Sequence, residues 1–185
     1  MLSWCSLKIL NLFGWSVVGQ PAQLDKYVII VAPHTSNWDF FIFLLLKFYY
    51  QLKVNFIGKH TIFIGPFGWF LRKIGGIPVV RTENHNVVDT IVLAFKQNQK
   101  MIFALSPEGT RSYKNHWKSG FYHIAINAKV PVQTCFLNKT NKTLGFGPLL
   151  ELCGERQKDL ELIRQFYRNK KGINSELFSD IVFKK

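Results

Sequence analysis

The sequence predicts an α/β fold, a single domain over residues 1–185 with a mainly parallel central sheet flanked by helices. Three observations predict it. The chain has 185 residues, a length that one core accommodates. Four short apolar runs bounded by breakers read as buried strands: 27–32 (YVIIVA), 76–80 (GIPVV), 101–105 (MIFAL) and 130–136 (VPVQTCF). Between them lie segments of helical length at 39–52, about 62–73, 84–98 and about 117–128. Strands alternating with helices make βαβ units, and those require a parallel sheet.

The elements follow in order. Residues 1–20 lack the basic n-region of a signal peptide, and Lys8 and Asn11 interrupt their apolar stretch. Trp4, Leu7, Leu10 and Trp15 are placed to share one face of a helix, lying either in a membrane interface or against the core. The segment 40–52, FFIFLLLKFYYQL, is apolar nearly all round apart from Lys47, which suits burial or contact with lipid. It falls short of the roughly 18–20 uninterrupted apolar residues of a spanning helix. Residues 58–76 carry Phe63, Phe67, Trp69 and Phe70, more aromatics than one amphipathic face must bury. Membrane insertion, acyl-chain lining and core packing all account for them. Residues 155–170 space Leu160, Ile163 and Phe166–Tyr167 as an amphipathic helix that covers one face of the sheet.

Composition narrows the partners. Hydrophobic residues make up 48% and charged residues 19% of the chain, while Lys and Arg outnumber Asp and Glu by 24 to 11, a net +13. Such an excess attracts anionic lipid, nucleic acid or phosphorylated small molecules. The apolar content favours a membrane surface over nucleic acid. Cys5, Cys135 and Cys153 form neither a metal-ligand spacing nor an even-numbered disulfide framework, which fits a reducing compartment.

The strand ends carry the chemistry. In open parallel sheets, ligands bind beyond the carboxyl ends of the strands. The first run ends on Pro33-His34, the second on Arg81 and the third on SPEGTRS (106–112). Thr35, Ser36 and Asn37 can each cap a helix, leaving His34 before it and Asp39 in its first turn. Asp39 would then fix one nitrogen of the imidazole and leave the other as a base. Alternatively, Asp39 only complements the helix dipole. In the SPEGTRS turn, Gly109 permits positive φ or close backbone approach. Arg111 offers a phosphate-binding fork, and Glu108 could orient it or contact an acceptor hydroxyl. The alternative is a surface turn with a Glu–Arg pair. Arg81 is either a second phosphate ligand or an exposed arginine. No G-x-S-x-G elbow, P-loop, G-x-G-x-x-G or H-E-x-x-H occurs, and the remaining histidines form no ligand cluster.

HTSNWD (34–39), GPFGWFLRKIGGIPVVR (65–81), SPEGTRS (106–112) and VPV (130–132) occur in that order. Together they resemble the four motif blocks of the glycerophospholipid (1-acyl-glycerol-3-phosphate) acyltransferase superfamily. The resemblance covers about residues 27–136, the motif-bearing core, and implies that superfamily's α/β fold. HTSNWDF and WKSGFYHIA (117–125) are most similar to a small bacterial branch. The resemblance implies that His34, oriented by Asp39, takes a proton from an acceptor hydroxyl. The oxygen then attacks the thioester of acyl-CoA or acyl carrier protein, with no metal and no bound cofactor. Arg81, Glu108, Gly109, Thr110 and Arg111 would bind the acceptor, a lysophospholipid such as 1-acyl-glycerol-3-phosphate. A peripheral site on the cytoplasmic face of the bacterial inner membrane, against anionic lipid, goes with that reaction. Pro33 stands where the family often has Asn, and Ser106 where phosphatidate-forming members often have Phe. These departures leave open another lysolipid or an amino-lipid alcohol as acceptor. A thioesterase and a non-catalytic lipid- or nucleic-acid-binding module are the competing classes.

Overall fold

The computed structural model describes residues 2–79 and 84–184, with the side chains of 84–86 outside that description. A seven-stranded sheet forms the centre. In chain order the strands are β1 (Ser16–Val18), β2 (Lys26–Ala32), β3 (Val54–Lys59), β4 (Gly76–Val79), β5 (Met101–Leu105), β6 (Val132–Asn138) and β7 (Thr143–Leu150). Their spatial order is β1-β7-β6-β2-β5-β3-β4. The neighbours from β6 to β4 all pair in parallel, whereas β7 runs antiparallel to β6 and carries β1 alongside it. The helices are α1 (Leu2–Leu12), α2 (Asn37–Tyr49), α3 (Gly65–Lys73), α4 (Asn84–Gln97), α5 (Gly120–Ala128) and α6 (Arg156–Tyr167).

Strand alternation divides the core into two layers. Val28, Ile30 and Ala32 of β2 pack with Phe95 of α4, Phe121 of α5 and Ile163 and Tyr167 of α6. Tyr27, Ile29 and Val31 face the other way, toward Leu10 of α1 and Leu46 of α2. Helices on both faces are what a parallel sheet needs, because neither face is left to water. Helix α6 covers one face as its spacing predicts.

Several expectations need correction. The N-terminal helix spans residues 2–12 rather than 1–20. Gly14, at φ +76°, turns the chain, so Trp15 drops into the core and 16–18 become β1. Of the face expected to hold Trp4, Leu7, Leu10 and Trp15, Leu10 and Trp15 are buried while Trp4 is exposed. The run 39–52 yields a helix only to Tyr49, and 54–59 add the strand β3. In the aromatic segment, Phe63 is buried, whereas Phe67, Trp69 and Phe70 are exposed. Trp117, expected at the start of a helix, is buried and bridges Phe183, and α5 begins at Gly120.

Candidate active site

Strands β2, β5, β3 and β4 are parallel, so their carboxyl ends share one edge. His34 leaves β2 at this edge. Ser36 then caps α2: its hydroxyl accepts from Trp38 N at 3.2 Å and forms a capping box with Asp39. The box fixes Asp39 under the turn, fully buried. Its Oδ2 accepts from Thr35 N at 2.6 Å and from Ser36 N at 2.8 Å, and lies 3.4 Å from His34 Nδ1. The geometry is compatible with both readings of the motif, since one carboxylate caps the helix and faces the imidazole. At 3.4 Å the contact is longer than a good N–H···O bond, as is common before substrate tightens a site. With Nδ1 turned to Asp39, Nε2 is the ring nitrogen that does not face the carboxylate.

Glu108 departs from expectation. It does not pair with Arg111, and it is not among the residues lining the cleft that Arg111 lines. It is 2% exposed, and its two oxygens accept from His34 N at 2.6 Å and Ser179 N at 3.2 Å. Burial pushes its carboxyl up to about 7, although both backbone N–H groups favour the charged form. It braces the backbone of His34. Gly109 has φ +64°, so the positive-φ reason for a glycine applies, whereas a Cβ there would meet only the flexible end of the Lys118 side chain, at 2.8 Å. Thr110 accepts from Ser112 N at 3.3 Å within the same turn. Arg81 lies outside the described residues.

Two hollows meet at this edge. A polar cleft of about 690 Å³ is lined by His34, Gly109, Thr110 and Arg111, and also by Lys59, Lys118 and Lys184, with Asp89 as its acidic member. An apolar cavity of about 180 Å³ runs between α2 and the sheet. Its aromatic lining is Phe40, Phe43, Phe56 and Phe146, not the Phe67, Trp69 and Phe70 that the sequence offered. Lys47 reaches it near the far end of α2, where its Nζ donates to Leu52 O at 2.8 Å and burial lowers its pKa. His34, Ile57, Leu105 and Ser106 line both hollows.

The sequence reading noted Ser106 only as a departure from the family and gave it no place in the site, and it missed Lys59, Lys118 and the part played by the C-terminal segment. Asn174 donates from its backbone N to Thr35 Oγ1 at 3.1 Å, and from Nδ2 to Thr35 O at 3.0 Å. Ser106 could have been found from the alternation along β5. Ile102 and Ala104 face the α2 layer, and two residues further on Ser106 does too.

Among known proteins, the family model described as Acyltransferase matches residues 16–138. The fold is similar to the crystal structure of the 1-acyl-sn-glycerophosphate (LPA) acyltransferase PlsC from Thermotoga maritima. That match has a TM-score of 0.62 and 19% identity, over 90% of this chain and 77% of that one. No curated protein matches the chain significantly.

Proposed function

Since this chain belongs to the Acyltransferase family, we propose that it moves a fatty acyl group from an acyl-CoA or acyl carrier protein thioester to the free hydroxyl of a lysophospholipid. The observation that carries this reading is the position of His34 where a cationic cleft meets an apolar cavity. The acyl chain of the donor fits the cavity. The phosphate of the acceptor fits the cleft, with Arg111 as its fork and Lys59 and Lys118 as added positive charge. The two reacting atoms then meet beside the imidazole, an arrangement that replaces a bimolecular encounter by a positioned one.

In this mechanism His34 Nε2 takes the proton of the acceptor hydroxyl while Nδ1–H faces Asp39 Oδ2. The oxygen attacks the thioester carbonyl carbon. The tetrahedral intermediate then collapses, breaking the C–S bond, and the departing sulfur receives the proton held by the imidazole. Glu108 holds the His34 backbone, and Gly109 and Thr110 shape the turn that carries Arg111.

Docking at a membrane belongs to the same reading, because both the lysolipid and the product live there. Among the described residues, no helix is long and apolar enough to cross a membrane. Leu2, Trp4, Leu12 and Phe13 at α1, Trp38 and Phe41 on α2, and Phe67 and Trp69 on α3 are exposed. Together with the +13 charge, they suit peripheral binding to the anionic cytoplasmic face of a bacterial inner membrane.

The test supplies acyl-CoA and acyl carrier protein thioesters with a panel of lyso-acceptors, measuring free thiol and identifying products by mass. His34→Ala should lower turnover about a thousandfold with folding intact, the range for removal of a positioned base. Turnover equal to wild type rejects the mechanism. Arg111→Ala should raise KM for phosphorylated acceptors and leave that for a neutral alcohol unchanged. Equal effects on both reject its role.

A further inference from the structure

The reaction proposed above develops negative charge on the thioester oxygen, and nothing described so far receives it. We propose that the Ser106 hydroxyl is a catalytic hydrogen-bond donor to that oxygen. The inference rests on the acyl-transfer reading, and two independent observations carry it.

The first is an unmet hydrogen bond. Ser106 Oγ is buried and bonds to no described protein group. A hydroxyl in that state destabilises a fold, and at the cavity wall it is free to bond to what occupies the cavity. Tyr27 Oη, Asp39 Oδ1 and Trp117 Nε1 are also buried without a partner, but none of those residues lines the junction. The second observation is position. Ser106 is one of the four residues lining both the apolar cavity and the polar cleft, and His34 is another. Ile57 and Leu105 have no polar side-chain atom, so Ser106 and His34 are the two that can exchange protons or hydrogen bonds there. Strand pairing supports the placement. Leu105 is in register with Ile30, so the chain after β5 runs beside the chain after β2, where His34 begins its loop.

The chemistry balances with Ser106 as donor. As the acceptor oxygen bonds to the carbonyl carbon, the π pair moves onto the carbonyl oxygen and that oxygen accepts the Ser106 Oγ–H. When the C=O bond re-forms, the C–S bond breaks, the sulfur takes the proton from His34, and Ser106 keeps its own. The same geometry argues against Ser106 as nucleophile: its oxygen makes no hydrogen bond to His34 that would prepare its deprotonation. The phosphatidate-forming members of the family that the chain resembles often have phenylalanine at this position, which has no hydroxyl to donate.

The test is Ser106→Ala, read in two ways. Removing one oxyanion donor lowers kcat by about a hundredfold, and KM for both substrates should stay within about twofold. The melting temperature should be unchanged or higher, since the deleted hydroxyl bonds to nothing in the protein. A serine with a purely structural role gives the opposite pairing, a lower melting temperature with kcat following the folded fraction. A kcat within twofold of wild type overturns the proposal. So does an acyl adduct located on Ser106 itself, seen by intact mass on wild-type enzyme under single-turnover conditions and missing from Ser106→Ala, because Ser106 would then be the nucleophile. If His34→Ala retains full activity while Ser106→Ala is slow, the base assignment falls and the donor stands. If wild-type protein transfers acyl to no acceptor, both fall.

Discussion

Glu108→Gln separates the charge of the buried brace from its shape. In the folded protein the carboxyl titrates at about 7 because burial outweighs the two N–H groups it accepts from, against 4.5 for the ordinary group. Between these values the folded state holds a proton that the unfolded chain has released. The group therefore carries no penalty below about pH 4.5, and stability falls as pH rises toward 7. A difference of roughly 2.5 pH units corresponds to about 3 kcal/mol. Glutamine stays neutral throughout, so the variant escapes this loss. It has one oxygen to accept from either His34 N or Ser179 N, and its amide N–H₂ faces the other donor. That mismatch destabilises by about 1–3 kcal/mol independently of pH. The variant should thus be less stable than wild type at pH 5 and close to it, or above it, at pH 8. Urea unfolding from pH 5 to 8 reads the gap, which should change by about 2.5 kcal/mol, because part of the loss already falls below pH 5. A gap constant to within about half a kcal/mol across that range refutes the argument.

Two further outcomes are expected. Asn174→Asp turns a donor toward Thr35 O into an acceptor, and the loop holding His34 should lose its outer anchor. Misplacement of the base by an ångström costs about a hundredfold in rate, so kcat should drop by roughly ten- to a hundredfold with KM unchanged. Steady-state kinetics within twofold of wild type count against this. Trp4→Ser combined with Phe13→Ser removes two exposed aromatics at α1. Each is worth about 2 kcal/mol if it enters lipid, so partitioning onto anionic vesicles should fall at least tenfold in a sedimentation assay. Unchanged partitioning places the lipid contact elsewhere.

The readability of the sequence follows from local chemistry. Residues 27–32 and 101–105 are continuous apolar runs fully inside a sheet, and each reads as a buried strand. The strand β7 does not, because TLGFGPLL contains Gly145, Gly147 and Pro148. Its neighbour explains why it tolerates them. β1 pairs only with residues 143–145, so no strand on that side needs the missing N–H of Pro148. A Cβ on Gly145 would lie 1.7 Å from Val18 O, and only glycine admits that approach. β3 was hidden by its polar Asn55 and Lys59 and by Gly58, directly after an apolar helix. At the site, His34, Asp39, Gly109 and Arg111 were legible because each follows a strand or caps a helix. The role of Glu108 was not legible, since its second hydrogen bond comes from Ser179, 71 residues along the chain in a segment with no periodic pattern.

That distant anchor bears on how the site is held. The family match ends at residue 138, yet the loop that carries His34 is fixed from beyond it on two sides. Ser179 holds Glu108, which holds the His34 N–H, and Asn174 grips Thr35 at both its hydroxyl and its carbonyl. Gly172 allows the segment to lie this close, because a Cβ there would come within 2.4 Å of Thr35 Oγ1. The segment is tied in turn to the turn after β5, through Asp180 N to Lys114 O and Trp117 N to Val182 O. The two loops that meet at the junction of the cavities are thereby joined to one strap. A shift in the strap would move His34 and the 106–112 turn together, whereas a shift in either loop alone would break hydrogen bonds to buried partners. The relative placement of His34, Ser106 and Arg111 thus depends on residues 172–182 as much as on the strands from which those three side chains emerge.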